Sequence, residues 1–202
     1  MDTLEANYRQ RFDTVLRPMA TALETQLQGY FKDELRIDRI TARPKDVQKF
    51  LKKAARQENG KSKYAEPLRQ IQDQIGARIV TFYLSDVERV AKVVEKYYRS
   101  IETKDIYPDS EREFGYVGRH YIFFVPNGLH KSNVDRNLVP EVFELQLKTL
   151  FQHAWSEADH DLGYKPDGKT PNTDQKRQMA FVSAQAWGAD RVFDELFRSL
   201  VD

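Results

Sequence analysis

Asp73 and Glu144 are the two residues from which a chemical reading of this chain starts. Asp73 stands in Asp73-Gln74-Ile75-Gly76-Ala77-Arg78, just ahead of an apolar run that reads as a strand. A carboxylate at a strand end suits magnesium, which takes hard oxygens and keeps several waters; an ordinary loop aspartate has the same setting. Glu144 stands in Val142-Phe143-Glu144-Leu145-Gln146-Leu147, whose alternation puts Glu144 and Gln146 on one face of a half-buried strand. There a glutamate can activate a hydroxyl or share a metal with Asp73. The plainer alternative is a polar row facing water.

Two further segments carry suitable chemistry. Arg43-Pro44-Lys45 is followed by Lys52, Lys53 and Arg56. A triphosphate needs several cations converging from a strand end and a helix face, because its charge is spread over several ångströms. A solvated basic helix has the same composition. In Gly115-Tyr116-Val117-Gly118-Arg119-His120, the glycines let backbone approach a ligand and the tyrosine offers a face for a purine. Stacking of that kind contributes about 1–3 kcal/mol. A tight turn into a strand fits these residues equally well.

The elements that must position these groups follow from periodicity. Leu4 to about Leu35 reads as helix, with Tyr8, Phe12, Val15, Leu16, Met19, Leu23 and Leu27 in one stripe and Pro18 kinking or splitting it. Arg36–Arg43 reads as a strand ended by Pro44, and Asp46 as the cap of the next helix. Asn59 to Lys63 reads as a loop. Ala77–Tyr83 reads as a central strand, and Ser85 as the cap of a helix from Asp86 to about Tyr98. Strands are expected at Ile101–Ile106, Tyr116–Val125 and Val142–Leu147. Thr149 opens a helix through His160, and Thr173–Val201 forms a last amphipathic one. The order gives an α+β class with a mixed sheet flanked by helices.

Composition narrows the rest. The 202 residues suffice for one sizeable core, and a net charge of +1 gives no global field for nucleic acid. Cysteine is absent, which excludes disulfides, thiolate metal sites and a thiol nucleophile. No apolar stretch approaches the roughly 20 residues that span a bilayer, and the N-terminus does not read as a signal peptide. A cytoplasmic protein with no membrane partner is expected.

Taken in order, the segments resemble the synthetase domain of the RelA/SpoT family. Arg43-x-Lys45, Lys53, Asp73-x-x-Gly76-x-Arg78, Gly115-Tyr116 with His120, and Glu144-Leu145-Gln146-Leu147-Lys148-Thr149 match its pattern. So does the nearby His153-Ala154-Trp155 with Glu157. The resemblance covers about residues 36–165, between an N-terminal helical segment (1–35) and a C-terminal helix (173–202), read as one domain over 1–202. It implies a nucleotidyltransferase-like fold and Mg2+-dependent transfer of pyrophosphate from ATP to the 3′-hydroxyl of GDP or GTP.

The resemblance also implies roles. Arg43, Lys45, Lys53 and Arg78 fall on ATP-binding positions, with Arg43 packing on adenine. Asp73 and Glu144 are the catalytic, metal-holding carboxylates. Tyr116 stacks on the acceptor base, with His120 and Gln146 beside it. Arg112-Glu113-Phe114 stands where many relatives have Lys-x-Asn gripping the acceptor, so Arg112 takes the lysine's place. That departure leaves the acceptor open to an adenine nucleotide or, as in toxic members with an antitoxin partner, to the 3′ end of tRNA. Arg112, Arg119 and Lys131 are the cations a tRNA would use. A non-catalytic nucleotide- or protein-binding module is the remaining alternative. The terminal helices are amphipathic enough for a homo-oligomer. His160-Asp161, which echoes a metal pair of the family's hydrolase domain, reads as a helix end, and no hydrolase activity is expected.

Overall fold

Alternation of apolar and polar residues in five segments builds a single mixed sheet with one greasy and one chemical face. The computed structural model describes residues 3–110, 113–115, 117–130, 134–163 and 170–201. Five strands, β1 (Ile37–Pro44), β4 (Ile75–Thr81), β5 (Ser100–Ile106), β6 (Gly118–Phe124) and β7 (Val142–Thr149), lie in the order β1-β4-β7-β6-β5. Only the β4–β7 pair is parallel. The strand expected to be central runs from Ile75 and lies inside the sheet, paired on both sides, with β7 in the middle position beside it.

One face buries Ala77, Ile79, Phe143, Leu145, Leu147, Tyr121 and Phe123. Helices α2 (Arg17–Tyr30) and α5 (Leu84–Tyr97) supply Met19, Leu23, Leu27, Val87, Val90 and Val94 to the same core. The N-terminal apolar stripe is thus a packing stripe. Pro18 acts as its missing N–H requires: α1 (Thr3–Arg11) passes through a π-helical turn, Phe12–Leu16, and α2 restarts with the proline in its first turn. The helix stops at Tyr30, short of the expected Leu35, and Arg36 turns the chain into β1 with φ 64°.

The smaller elements carry two corrections. The expected loop at 59–63 is a hairpin, β2 (Gln57–Glu58) and β3 (Lys61–Ser62), turned by Asn59 and Gly60 at φ 52° and 76°; an Asn-Gly pair reaches such angles easily. Ser85 does not cap α5. The Asp86 carboxylate reaches back to the Tyr83 N–H at 3.3 Å, while the Ser85 N–H donates to Asp194 at 2.7 Å.

Helix α3 (Val47–Ala54) is capped by Asp46, which accepts from the Gln48 and Lys49 N–H groups at 2.9 and 3.1 Å. A short helix, α4 (Pro67–Gln70), and a 3-10 turn, Gln72–Gln74, lead into β4. Helix α6 (Leu150–Gly163) opens on a reciprocal cap between Thr149 and Gln152, each donating its N–H to the other's side-chain oxygen at 3.1 Å. His160 and Asp161 fall in its last turn. Helix α7 (Thr173–Val201) packs against α6 and α5 with a polar seam of Ser183, Asp190 and Asp194. Phe181, Val192, Leu196 and Leu200 point outward instead, while Phe193 stacks on Phe151 of α6.

Candidate active site

The second face of the sheet gathers the charged residues by register alone. Arg43 lies across from Gly76, and Gly76 across from Glu144. Two residues along, Arg78, Gln146 and His120 form the next row. A Cβ built on Gly76 meets no atom within 4 Å, so the floor between Arg43 and Glu144 is open.

Lys45 leaves the end of β1 on a backbone held from two sides. Its N–H donates to the Gln74 carbonyl at 2.8 Å, and its carbonyl accepts from the Tyr8 hydroxyl at 2.8 Å. Tyr8 in turn stacks on Phe50 of α3 with ring centroids 3.6 Å apart. Gln74 anchors the turn that carries Asp73, donating to the Leu68 and Ile71 carbonyls at 2.9 and 2.8 Å. Asp73 therefore projects from a fixed turn. Its Oδ2 accepts Lys45 Nζ at 2.7 Å and pairs with Lys53 Nζ at 3.0 Å. Its Oδ1 is buried with no hydrogen-bond partner. Burial alone would raise this carboxyl, but the hydrogen bonds and charges of Lys45 and Lys53 hold it below the ordinary aspartate value.

Glu144 is held as tightly from the other side. His120 Nδ1 and Gln146 Nε2 both reach Oε1 at 2.9 Å. Burial pushes this carboxyl up, yet the His120 and Gln146 hydrogen bonds and the His120 charge outweigh it and leave it below the usual glutamate range. The negative charge of Asp73 works against that lowering.

Arg78 is engaged by the protein itself. Its guanidinium donates to Glu157 at 2.6 Å and lies 3.1 Å from His153 Nδ1, both on α6. A longer contact of 3.5 Å reaches Gln146 Oε1. The arginine thus ties α6 to the site floor. Burial and the Arg78 charge keep His153 below its ordinary value.

The structure therefore brings together Arg43, Lys45, Lys53, Asp73, Arg78, His120, Glu144 and Gln146, eight of the ten expected site residues. Tyr116 and Arg112, like Lys131, lie outside the described residues. Three side chains of the site escaped the sequence reading. Tyr8 looked like part of a stripe, and nothing in its spacing betrays a hydroxyl aimed at Lys45. Glu157 and His153 were visible in a motif without a task.

Lys148 is a fourth such side chain, again within a recognised motif. It sits on the chemical face beyond Gln146, is 2% exposed, and donates to Ser156 Oγ at 2.9 Å. Burial and the Arg78 charge push its ammonium down to about 7, against weaker opposition from Glu157 and Glu144.

Among the described residues no group of three or more His, Asp or Glu is arranged to hold a metal. Two coupled carboxylates, one with a buried unpartnered oxygen, still fit a hard cation that completes its shell with substrate oxygens and water.

A five-stranded mixed sheet with cations at one strand end and two carboxylates beside them has the make-up of a nucleotide-handling transferase. Comparison with known proteins narrows this. Residues 42–169 match the family model described as "Region found in RelA / SpoT proteins". The chain belongs to the RelA/SpoT family. The GTP pyrophosphokinase YjbM of Bacillus subtilis (strain 168) is 27% identical over 170 residues, 80% of this chain and 76% of that protein.

Solved structures agree on the fold. A GTP pyrophosphokinase family protein from Streptococcus pneumoniae aligns with TM-score 0.74 at 22% identity, over 99% of this chain and 96% of the other. The small alarmone synthetase 1 of Bacillus subtilis bound to its product pppGpp aligns with TM-score 0.70 at 23% identity, over 91% and 93%. No helix among the described residues is long and apolar enough to cross a membrane.

Proposed function

We propose that this chain transfers the β,γ-pyrophosphate of ATP to the 3′-hydroxyl of GDP or GTP. The observation that carries the reading is the meeting of the Lys45–Asp73–Lys53 cluster and the His120–Glu144–Gln146 cluster across the open floor at Gly76. Arg43, Lys45 and Lys53 bind the triphosphate, and Arg43 adds a planar group for the adenine. Asp73 and Glu144 would hold Mg2+, whose charge offsets that developing on the transferred phosphates.

The acceptor's 3′-oxygen forms a bond to the β-phosphorus, and the bond from that phosphorus to the α,β-bridging oxygen breaks, releasing AMP. The hydroxyl proton passes to Glu144. That group is held in its ionised form near neutral pH, and His120 and Gln146 fix its orientation. Arg78 braces Gln146 against α6 through Glu157 and does not wait for ligand in the free protein. Most of the acceleration comes from position and charge, as in phosphoryl transfer generally.

The acceptor reading draws on a relative solved with pppGpp and on the state of Arg119. That residue, offered above as a contact for tRNA, is clasped by Asp105 at 2.6 Å and Glu88 at 2.9 Å. A polyanion would have to break both pairs to use it.

The test is incubation with γ-labelled ATP and magnesium, offering GDP, GTP, ATP and deacylated tRNA separately. Label on GDP or GTP is expected, and Glu144→Gln should lower the rate on the order of 10²- to 10⁴-fold with folding intact. Label on tRNA alone would overturn the acceptor assignment. No transfer to any acceptor would leave a binding module.

A further inference from the structure

Asp73 offers a cation one buried, unpartnered oxygen while its other oxygen already carries two ammonium groups. Lys45 and Lys53 stand at 2.7 and 3.0 Å from the same Oδ2, and all three side chains are largely buried. The pair neutralises the aspartate in the free enzyme. A bare divalent cation arriving at Oδ1 would meet two like charges in a partly buried setting, where water screens them poorly. The protein also supplies few oxygens of its own there, since no larger cluster of acidic or imidazole groups exists among the described residues.

A triphosphate changes both terms. Its oxygens accept the two lysines in charge-assisted hydrogen bonds, and further oxygens complete a metal's shell. The backbone holding Lys45 and the turn holding Asp73 are pinned by Tyr8 and Gln74, so exchange needs only rotation of two long, unbranched side chains.

We infer that Lys45 and Lys53 are a displaceable counter-ion: they occupy Asp73 in the free enzyme and move to the triphosphate, releasing the carboxylate to the metal that arrives with it. The inference rests on the reading of Asp73 as a metal-holding residue. It makes metal and nucleotide cooperative at this site, each raising affinity for the other by the same factor. Free divalent cation alone neither occupies nor primes the enzyme.

The test measures Mn2+ binding by the loss of its free electron-paramagnetic signal, with and without α,β-methylene ATP. The parent, Lys45→Met, Lys53→Met, Asp73→Asn and, as a control, Lys49→Met are compared. Lys49 lies exposed on α3 and does not touch Asp73. Lys53→Met and Lys45→Met should each tighten binding of Mn2+ alone by roughly three- to tenfold and weaken binding of the metal-free analogue. Lys49→Met should change neither. If Asp73→Asn abolishes Mn2+ binding while both lysine variants bind bare Mn2+ as the parent does, the counter-ion inference is wrong and the metal reading stands. If Asp73→Asn binds Mn2+ with analogue as well as the parent, the metal reading itself is wrong. Lys53→Gln repeats the measurement should methionine there disturb folding, judged by circular dichroism.

Discussion

Replacing Lys148 by methionine tests how the site's floor is built. The lysine is 2% exposed and its ammonium is pushed from 10.5 down to about 7 by burial and by Arg78. In the unfolded chain it keeps its proton to about 10.4. Native and unfolded states are both protonated well below pH 7, where the native state carries the full burial cost. Between about 7 and 10.4 the unfolded state holds the extra proton, so stability rises with pH.

The slope approaches about 1.4 kcal/mol per pH unit, which gives roughly 2.5 kcal/mol between about pH 7.5 and 9.5. With a urea dependence of about 2 kcal/mol per molar, the parent's unfolding midpoint should rise about 1 M relative to Lys148→Met over that range. Methionine fills a similar volume, and Ser156 keeps its hydrogen bond to the His153 carbonyl at 3.0 Å. The assay is urea unfolding followed by tryptophan fluorescence at both pH values. A difference between parent and variant that does not change with pH would mean a charged, hydrated lysine and would refute the reasoning.

Other consequences are as specific. Tyr8→Phe removes the hydroxyl that holds the Lys45 carbonyl; it should cost about 1 kcal/mol of stability and raise KM for ATP more than it lowers kcat, measured by steady-state kinetics. Gly76→Ala adds a methyl group where nothing stands within 4 Å, so melting temperature should hold while ATP affinity falls, read by calorimetric titration. Asp190, 3% exposed, has its carboxyl pushed up to about 6 by burial, so the native state holds a proton that the unfolded state loses from about 4 upward. Stability is therefore lost as pH rises through that window. Asp190→Asn should gain on the parent by on the order of 2–3 kcal/mol between about pH 4 and 7 in urea unfolding.

How much was legible in the sequence differs by kind of interaction. Strands and their faces were readable because alternation is a local signal: Val142–Leu147 shows its pleat in its spelling. Site residues on those strands followed once the register was known, which is why Glu144, Gln146 and His120 converge as expected. Register, however, is non-local, and nothing in Ala77–Tyr83 says that β7 takes the middle of the sheet. Asp86 defeated the cap assignment because Ser85 is the commoner capping type, and the Asp194 partner that claims its N–H lies 109 positions away. The outward apolar side of α7 was invisible for a related reason. Helical spacing gives a stripe, but Thr149 and the α5 N-terminus recruited Asp190 and Asp194 to the inner side instead.

The bond from Tyr8 to the Lys45 carbonyl also bears on how the protein tolerates change at its beginning. Arg11 adds two more moorings, to the Leu138 and Leu68 carbonyls at 2.7 and 2.5 Å. The opening helix is therefore foundation masonry beneath the nucleotide cleft. Trimming it would slacken the turns on either side of Asp73 and the segment leading into β7 together, so loss of catalysis would precede visible unfolding. On the outer side of α1, Glu5 and Arg9 pair with each other, away from these moorings.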